Sequence, residues 1–417
     1  MRIAGRATAV LAALVLAGCA AVGLPNVADT MEGDAATPVI PRSTDLNGWR
    51  NSEAAELQAA FARDLYGAMP LPAEVAISAR TPLDPAPGGA GVFEQWRIEV
   101  SGPIKGATID LVVVLPRRET GPAPVILMQT FCGNPAAFRG VAGVTPPRGA
   151  PDTCSNGAMA PVARAIFGDA ILGPPVERIL AAGYGVALMY TGDIVPDDAV
   201  AAVPLLDALT PAGTPPDQRT GALAAWAWTY LRALDALATD PRIDAARIVL
   251  WGHSRNGKAA LLAAAMDPRP AAVIALQSGT GGASLGRDDV GETIAQITEA
   301  YPHWFGPRFA DWASRQSALP VDQHQLLALV APRPILLGAG RRDRWSDPHG
   351  ALRAAHGAAP VYALFGAPAF RQTRLDRPDQ NHPLVTYMRP GLHGVHSSDW
   401  DQAIAFLDAQ VRKPTPP

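Results

Sequence analysis

The sequence predicts an α/β protein in which a doubly wound, mostly parallel sheet lies between two layers of helices, a three-layer sandwich. Two observations predict this fold class. Runs that read as buried strands alternate with runs that read as helices, which is the rhythm of βαβ units. The strand-like runs are also continuously apolar, as expected where helices cover both faces of a parallel sheet. Apolar residues make up 48% of the 417 residues, enough for one large core.

The first elements are strands. Residues 92–102 and 107–117 alternate between apolar and polar side chains well enough to form an antiparallel opening pair. Residues 123–131 read as a buried strand. A helix over 175–183, closed by a glycine, then leads to a strand over 184–191.

The second half repeats the alternation. A long helix over 220–240 precedes the short apolar strand "RIVLWG", and an alanine-rich helix follows that strand. Two more strands are predicted over 271–279 and 333–340, and a final helix over 398–410. These elements are expected to form a single domain over 46–412.

Composition excludes several classes of protein. The net charge is −3 and the basic residues are scattered, so the electrostatic footprint of a nucleic-acid-binding protein is missing. None of the eight histidines lies in a metal-ligand spacing such as H-E-x-x-H, and C-x-x-C does not occur. No metal, no cofactor and no nucleic-acid partner are therefore expected.

The N-terminus has the layout of an export signal. A basic start precedes an apolar stretch and small residues over 1–18. The stretch "LAGC" resembles the lipobox of bacterial lipoproteins, which would make Cys19 the lipidated first residue; an ordinary cleaved signal peptide is the alternative. Residues 19–45 then read as a tether. We expect an exported protein, anchored by lipid in the bacterial envelope, either facing the periplasm or at the outer membrane.

Export also bears on the two remaining cysteines. An oxidising compartment permits a disulfide between Cys132 and Cys154. Two free thiols remain the alternative, because a single pair is weak support for a disulfide framework.

The sharp turn after "RIVLWG" carries a single serine, Ser254. A strand, a tight turn with a serine and a helix form the nucleophile elbow of α/β-hydrolases, G-x-S-x-G. Here the second glycine, Gly257, comes one residue late after Gly252. The alternative is a serine that only caps the helix.

The fold also predicts where an acid and a histidine should follow. After the strand 333–340 stand Asp343 and Asp347. Asp347 precedes a proline, as an N-cap residue does, so Asp343 is the preferred acid. Near the last helix, His393 lies between two glycines, whereas His396 stands closer to the helix start. The order serine, acid, histidine favours His393.

Around these positions, the sequence resembles that of carbohydrate esterase family 15, the glucuronoyl esterases. The resemblance runs from roughly residue 90 to 410 and explains the late glycine of the elbow. The matching stretches, in family order, are "GHSRNGKAA", "QSGTGG", "GETIAQI", "YPHWF", "LPVDQHQLLALVAPRPILL", "DRWSDP" and "RPGLHGV".

The resemblance implies roles for further residues. Ser254 matches the nucleophile, and Arg255 matches the residue whose backbone N–H and guanidinium serve the oxyanion. Lys258, Glu292 and Trp345 match positions that line the glucuronate pocket. A cation and a carboxylate can bind sugar hydroxyls, and an indole can cover the apolar face of a pyranose.

Two positions depart from the family pattern. Gln277 stands where the family often has a glutamate, and a neutral amide cannot serve as the acid. His253 stands where a cysteine is common.

The resemblance implies a serine esterase that hydrolyses carboxylic esters of plant cell-wall glucuronic acid, or its 4-O-methyl form, through an acyl-enzyme. Its partner would be a polysaccharide or a small uronate ester, and we expect a monomer. The alternatives are a carbohydrate acetyl esterase of the same fold and a catalytically dead lipoprotein that binds glycans.

Overall fold

The computed structural model describes residues 26–33, 40–43, 45–84, 91–117, 121–148, 160–288 and 290–412. Within these residues, nine strands form one mixed sheet in the order β1-β2-β3-β5-β4-β6-β7-β8-β9. The pairs from β1 to β3, and the pair of β3 with β5, are antiparallel. All other pairs are parallel. The predicted fold class is confirmed.

The strands take their bounds from short apolar runs. They are β1 (Val75–Pro82), β2 (Gly91–Val100), β3 (Thr108–Pro116), β4 (Ala123–Thr130), β5 (Gly185–Tyr190), β6 (Ile243–His253), β7 (Ala272–Leu276), β8 (Ile335–Gly340) and β9 (Leu384–Arg389).

The helices lie between and around these strands. The short turn Leu46–Gly48 and the π-helical turn Trp49–Glu53 lead into α1 (Ala54–Phe61), and the π-helical turn Ala62–Tyr66 follows it. The other helices are α2 (Asn134–Ala137), α3 (Ala160–Phe167), α4 (Val176–Ala181), α5 (Val203–Leu209), α6 (Ala222–Leu237), α7 (Arg255–Met266), α8 (Ile294–Ala300), α9 (Gln323–Ala328), α10 (Pro348–Leu364) and α11 (Ser397–Gln410).

The core has two halves because successive side chains of a strand point to opposite faces. In β6, Ile248 and Leu250 belong to the half that α6, α7, α9 and α10 cover. Val249 and Trp251 point the other way, toward α4 and α11. Trp251 stacks there on Trp400 of α11, with 5.4 Å between ring centroids. The continuous apolar runs of the sequence therefore reflect burial on both faces.

Two strands were not predicted from the sequence, and both lie at edges of the sheet. β1 is mostly exposed, so its sequence lacks a clear apolar face. β9 is fully buried but carries Thr386 and Arg389, and a proline borders it on either side. Arg389 is paired with Asp399 (2.9 Å), which makes its burial tolerable.

The predicted tether, residues 19–45, contains a segment packed on the domain. Residues 26–33 pair with residues 373–375: Leu375 N donates to Asp29 O (2.8 Å) and Met31 N donates to Thr373 O (2.9 Å), and the Asp29 carboxylate pairs with Arg341. Leu375 O in turn accepts from Met388 N of β9 (2.8 Å), so the segment around Leu375 covers part of a sheet edge that would otherwise present unpaired backbone groups. The predicted signal segment and Cys19 lie outside the described residues, and no helix of the described residues has the length and apolar character to span a bilayer.

Candidate active site

The turn between β6 and α7 has the geometry of a nucleophile elbow. Ser254 adopts φ 54° and ψ −127°, a backbone conformation that residues other than glycine rarely adopt. Its backbone N–H donates to Leu276 O at the end of β7 (2.8 Å). Ser254 occupies the N-cap position of α7, but its side chain makes no capping hydrogen bond. The hydroxyl is therefore not committed to helix capping.

Steric contacts explain both glycines of the elbow. A Cβ on Gly252 would collide with the backbone oxygen of Asn256 in the first turn of α7. A Cβ on Gly257 would lie 3.0 Å from Gly252 O and 3.2 Å from the side chain of Ser278. The second glycine comes late because this is where the helix passes closest to the strand end.

Asp343 follows β8 and contacts His393 directly. His393 Nδ1 lies 2.7 Å from Asp343 Oδ2, and Ser346 Oγ donates to the same oxygen (2.6 Å). Burial alone would raise the pKa of Asp343, but attraction to His393 and the hydrogen bonds from His393 and Ser346 hold it below its usual value. The carboxylate is therefore available to orient the imidazole.

Asp347 occupies the position that its proline neighbour predicts. Its Oδ1 accepts from Gly350 N (2.9 Å) at the start of α10. Burial raises the pKa of Asp347. Asp347 therefore caps a helix and does not contact His393 in the described structure.

His393 and His396 lie in different surroundings. The ring of His393 lies beside that of His253, the neighbour of Ser254, with 4.7 Å between centroids. His396 stands at the start of α11, where its backbone N–H donates to Asp399 (2.8 Å). His393 thus reaches the elbow from the last loop.

Gln277 and His253, the two departures from the family pattern, contact each other. His253 Nε2 lies 2.9 Å from Gln277 Oε1, and both side chains are buried. Burial, and repulsion from His393 and Arg389, keep the pKa of His253 well below its usual value. His253 is therefore neutral.

Arg255 is held between aromatic rings and a carboxylate. Its Nη1 lies 2.7 Å from Asp197 Oδ2, and its guanidinium lies over the rings of Phe131 (4.7 Å) and Trp226 (5.3 Å). The other oxygen of Asp197 accepts from Trp304 Nε1 (2.6 Å).

Asp197 also contacts His303 Nε2 (2.9 Å). Burial opposes the ionised form, but the charge of Arg255 and these hydrogen bonds hold the pKa of Asp197 at about 2. The carboxylate is charged throughout the neutral range and fixes the arginine in place. Sequence reasoning missed Asp197, because nothing in its local pattern points to Arg255.

Lys258 lies one turn into α7 with its ammonium group buried. Its Nζ donates to Ser278 O and Thr280 O, each at 2.6 Å. Burial lowers the pKa of Lys258 to about 8, against the attraction of Glu292 and Asp343. The amine is thus close to losing its proton just above neutral pH.

Glu292 and Trp345 complete this side of the site. Glu292 N donates to Trp345 O (3.0 Å), and burial raises the pKa of the Glu292 carboxyl, opposed by the charge of Lys258 and by a hydrogen bond that the Trp345 side chain donates. The indole of Trp345 is 49% exposed, which is unusual for so large an apolar group. The structure brings together all three residues that the resemblance placed around the sugar.

Comparison with known proteins extends these local features to the whole chain. A family model described as "Glucuronyl esterase, fungi" matches residues 215–366. A carbohydrate esterase from an unknown prokaryotic organism is 33% identical over 373 residues, which are 88% of this chain and 86% of that protein. The chain belongs to carbohydrate esterase family 15. It is a carboxylic ester hydrolase, and the resemblance noted from the sequence is confirmed.

Solved structures agree with this family membership. A promiscuous family 15 esterase from a marine bacterial metagenome superposes with a TM-score of 0.76 at 30% identity, covering 94% of this chain and 99% of that one. A glucuronoyl esterase from Solibacter usitatus superposes with a TM-score of 0.74 at 32% identity, covering 94% and 100%. The fold of this esterase is therefore that of the α/β-hydrolases.

One cysteine of the esterase lies in the described residues. Cys132, in the loop after β4, is disulfide-bonded. Its predicted partner, Cys154, lies outside the described residues, so the pairing stays a prediction.

Proposed function

We propose that the chain is a serine esterase that hydrolyses esters of glucuronic acid, or of its 4-O-methyl form, with Ser254 as nucleophile, His393 as base and Asp343 as the residue that orients the base. The hydrogen bond between His393 Nδ1 and Asp343 Oδ2 (2.7 Å) beside the elbow carries this proposal. An ionised aspartate at Nδ1 selects the tautomer whose Nε2 accepts a proton.

The reaction proceeds in two halves. His393 Nε2 takes the Ser254 proton while Oγ bonds to the ester carbonyl carbon, and the tetrahedral intermediate then expels the alcohol, which takes that proton. A water molecule attacks the acyl-enzyme in the same way, and the acid leaves as Ser254 regains its proton. No cofactor takes part in these steps.

The oxyanion is stabilised from the start of α7. The backbone N–H of Arg255 is among the first N–H groups of the helix, which have no intrahelical acceptor. The guanidinium adds a positive charge, and its pairing with Asp197 fixes its direction. Preorganised donors of this kind contribute strongly to acyl transfer.

The acyl side of the substrate is bound by Lys258, Glu292 and Trp345. A buried cation and a buried carboxyl group can pair with neighbouring sugar hydroxyls, and the exposed indole can cover an apolar sugar face. The relative from Solibacter usitatus is named a glucuronoyl esterase, which agrees with a uronate in this pocket.

A carbohydrate acetyl esterase is the second candidate. The marine relative is described as promiscuous, and Gln277 marks a divergence from the usual family pattern. A glycan-binding protein without activity is a weaker candidate, because serine, histidine and acid are all present and the last two are hydrogen-bonded.

The deciding experiment compares two esters on the same enzyme. We expect kcat/KM for benzyl glucuronate to exceed that for 4-nitrophenyl acetate, with both activities lost in Ser254→Ala. A preference for the acetate would favour the acetyl esterase, and no hydrolysis of either ester would favour the binding protein.

For the cellular setting, we propose export through the N-terminal signal, with Cys19 as the lipid-bearing residue, and a monomeric catalytic domain. Labelling of the expressed protein with a palmitate analogue, with Cys19→Ser as control, tests the anchor. Equal labelling of both forms would contradict it.

A further inference from the structure

We propose that Gln277 is a positioning residue for the base, and that its amide clamps the backbone on both sides of His393 while it holds the buried His253. This inference rests on the proposed role of His393 as the base. It assigns a function to both positions at which the chain departs from its family pattern.

The clamp consists of two hydrogen bonds around one residue. Gln277 Nε2 donates to Leu392 O (3.1 Å), and Gly394 N donates to Gln277 Oε1 (2.9 Å). Leu392 and Gly394 are the two neighbours of His393. The amide therefore holds the backbone of the loop together with Arg389, whose Nη1 donates to Leu392 O (3.0 Å) and whose Nη2 donates to Gly394 O (2.6 Å), whereas Asp343 fixes the orientation of the ring.

The side chain of Gln277 is itself firmly placed. It is 5% exposed, and its residue adopts φ 49° just after β7, a strained conformation that persists only where the surroundings enforce it. Gln277 N donates to Gly338 O in β8 (2.7 Å). The clamp is thus attached to the rigid centre of the sheet.

His253 supplies the third contact of the amide. Since Oε1 accepts from Gly394 N and the Nε2 of the amide donates to Leu392 O, the orientation of the amide is fixed, and His253 Nε2 must be the donor to Oε1. Within the described residues, His253 Nδ1 has no hydrogen-bond partner. His253 is therefore held as the neutral tautomer with the proton on Nε2.

Neutrality of His253 matters because His393 becomes an imidazolium in each half of the reaction. The two rings are 4.7 Å apart, so a charged His253 would oppose proton transfer to His393. The ionisable groups that face His253 are His393 and Arg389, and a positive charge on either one disfavours the protonation of His253. An amide at position 277 satisfies the ring without adding a negative charge that would attract a proton.

A carboxylate could not replace this amide. It has no donor for Leu392 O, and its second oxygen would face that carbonyl at hydrogen-bond distance. It would also favour the protonated form of His253. Gln277→Glu and the apolar Gln277→Met therefore break the clamp in two different ways.

The test is steady-state kinetics of both variants over a range of pH. We expect kcat to fall by about 10²-fold in Gln277→Met, the loss typical of a small misplacement of a catalytic group, with KM nearly unchanged. In Gln277→Glu we expect a similar loss and an altered acid limb of kcat/KM, since a new carboxyl group titrates beside His253.

Gln372 offers a matched control. It is a buried amide that also bridges backbone groups, donating to Arg374 O (2.9 Å) and accepting from Thr386 N (3.3 Å). It contacts no residue of the His393 loop in the described structure. Gln372→Met and Gln372→Glu should lower Tm but leave kcat and the pH profile as in the wild type.

A third measurement reads the tautomer of His253 in the wild-type protein. In ¹⁵N-histidine-labelled protein, the signal that is lost in His253→Asn should show a proton on Nε2 and should not titrate between about pH 5 and 8. Protonation on Nδ1, or titration in this range, would overturn the inference.

The outcomes separate this inference from the proposed function. If His393→Ala keeps its activity, the proposed base is wrong. If His393→Ala is inactive while Gln277→Met has wild-type kcat and pH profile, only the clamp is wrong.

Discussion

The two sides of the catalytic edge differ in how their polar groups are satisfied. On the side of the proposed base, Asp343, His393 and Gln277 bind one another or nearby backbone groups. On the side of the substrate, Lys258 and Glu292 lie buried with pKa values displaced mainly by burial. The same edge of the sheet thus carries a histidine held by hydrogen bonds on several sides and a pair of buried ionisable groups whose charged forms are disfavoured by burial.

This difference follows from what each side must do. The base must be in position before any substrate arrives, so its supports are short hydrogen bonds within the protein. The pocket must exchange its contacts for those of a sugar, and buried charges that lack full hydrogen bonding gain most from such contacts. Perturbations of the first side should therefore lower kcat, and perturbations of the second should raise KM.

The largest effect should come from the residue that serves both sides. Ser254→Ala removes the proposed nucleophile and should lower kcat by about 10⁴ to 10⁶, the loss known from triad enzymes. Circular dichroism should show an unchanged fold, because the side chain makes no capping bond. More than about a tenth of the activity remaining would remove Ser254 from the mechanism.

The next effect tests the side of the base. Asp343→Asn removes the charge that selects the histidine tautomer and should lower kcat by about 10² to 10⁴ with KM little changed. Asp347→Asn is the matched control, since it removes a helix cap and should show mainly as a lower Tm. Full activity in Asp343→Asn together with an inactive Asp347→Asn would reverse the two assignments.

The positions of these residues in the site could be predicted from the sequence to different degrees. Ser254 and Asp343 could be predicted because each follows directly from a buried strand, and because the proline after Asp347 gives that residue a capping role. The cluster of Lys258, Glu292 and Trp345 came from the family resemblance. Its burial depends on contacts such as those of Nζ with Ser278 and Thr280, which no local pattern predicts.

Long-range pairs could not be predicted at all. Asp197 reaches Arg255 through the fold, and Gln277 reaches the His393 loop in the same way. The sequence shows only that Gln277 cannot be the acid. Edge strand β9 was missed for a similar reason, since Arg389 is acceptable there only because Asp399 pairs with it.

The third prediction concerns Asp197, which pairs with Arg255 at the start of α7. Asp197→Asn keeps the size of the side chain but removes the charge that holds Arg255 and replaces one accepting oxygen by an NH2 group, so the guanidinium should lose its fixed direction. We expect kcat to fall by up to about 10²-fold, less than the loss typical for an oxyanion donor that is removed outright. Asp207→Asn, whose carboxylate is largely exposed beside Arg219, should leave kcat unchanged; equal losses in both would point to a general charge effect.

The smallest effect should appear only with the preferred substrate. Lys258→Met removes a charged donor from the pocket and should raise KM for benzyl glucuronate about 10-fold, with much less change for an aryl acetate. Because burial lowers the pKa of Lys258 to about 8, the amine is protonated below that pH and neutral above it. KM for the uronate ester should therefore be lowest below pH 8 and rise as the pH passes through that value, and Lys258→Met should abolish the rise.

Lys105, an exposed lysine in the loop between β2 and β3, provides the control, since Lys105→Met should keep both the KM and its pH dependence. If Lys258→Met raised KM equally for both esters, Lys258 would maintain the structure of the site and would not bind the uronate. It would then not belong to the substrate-binding side.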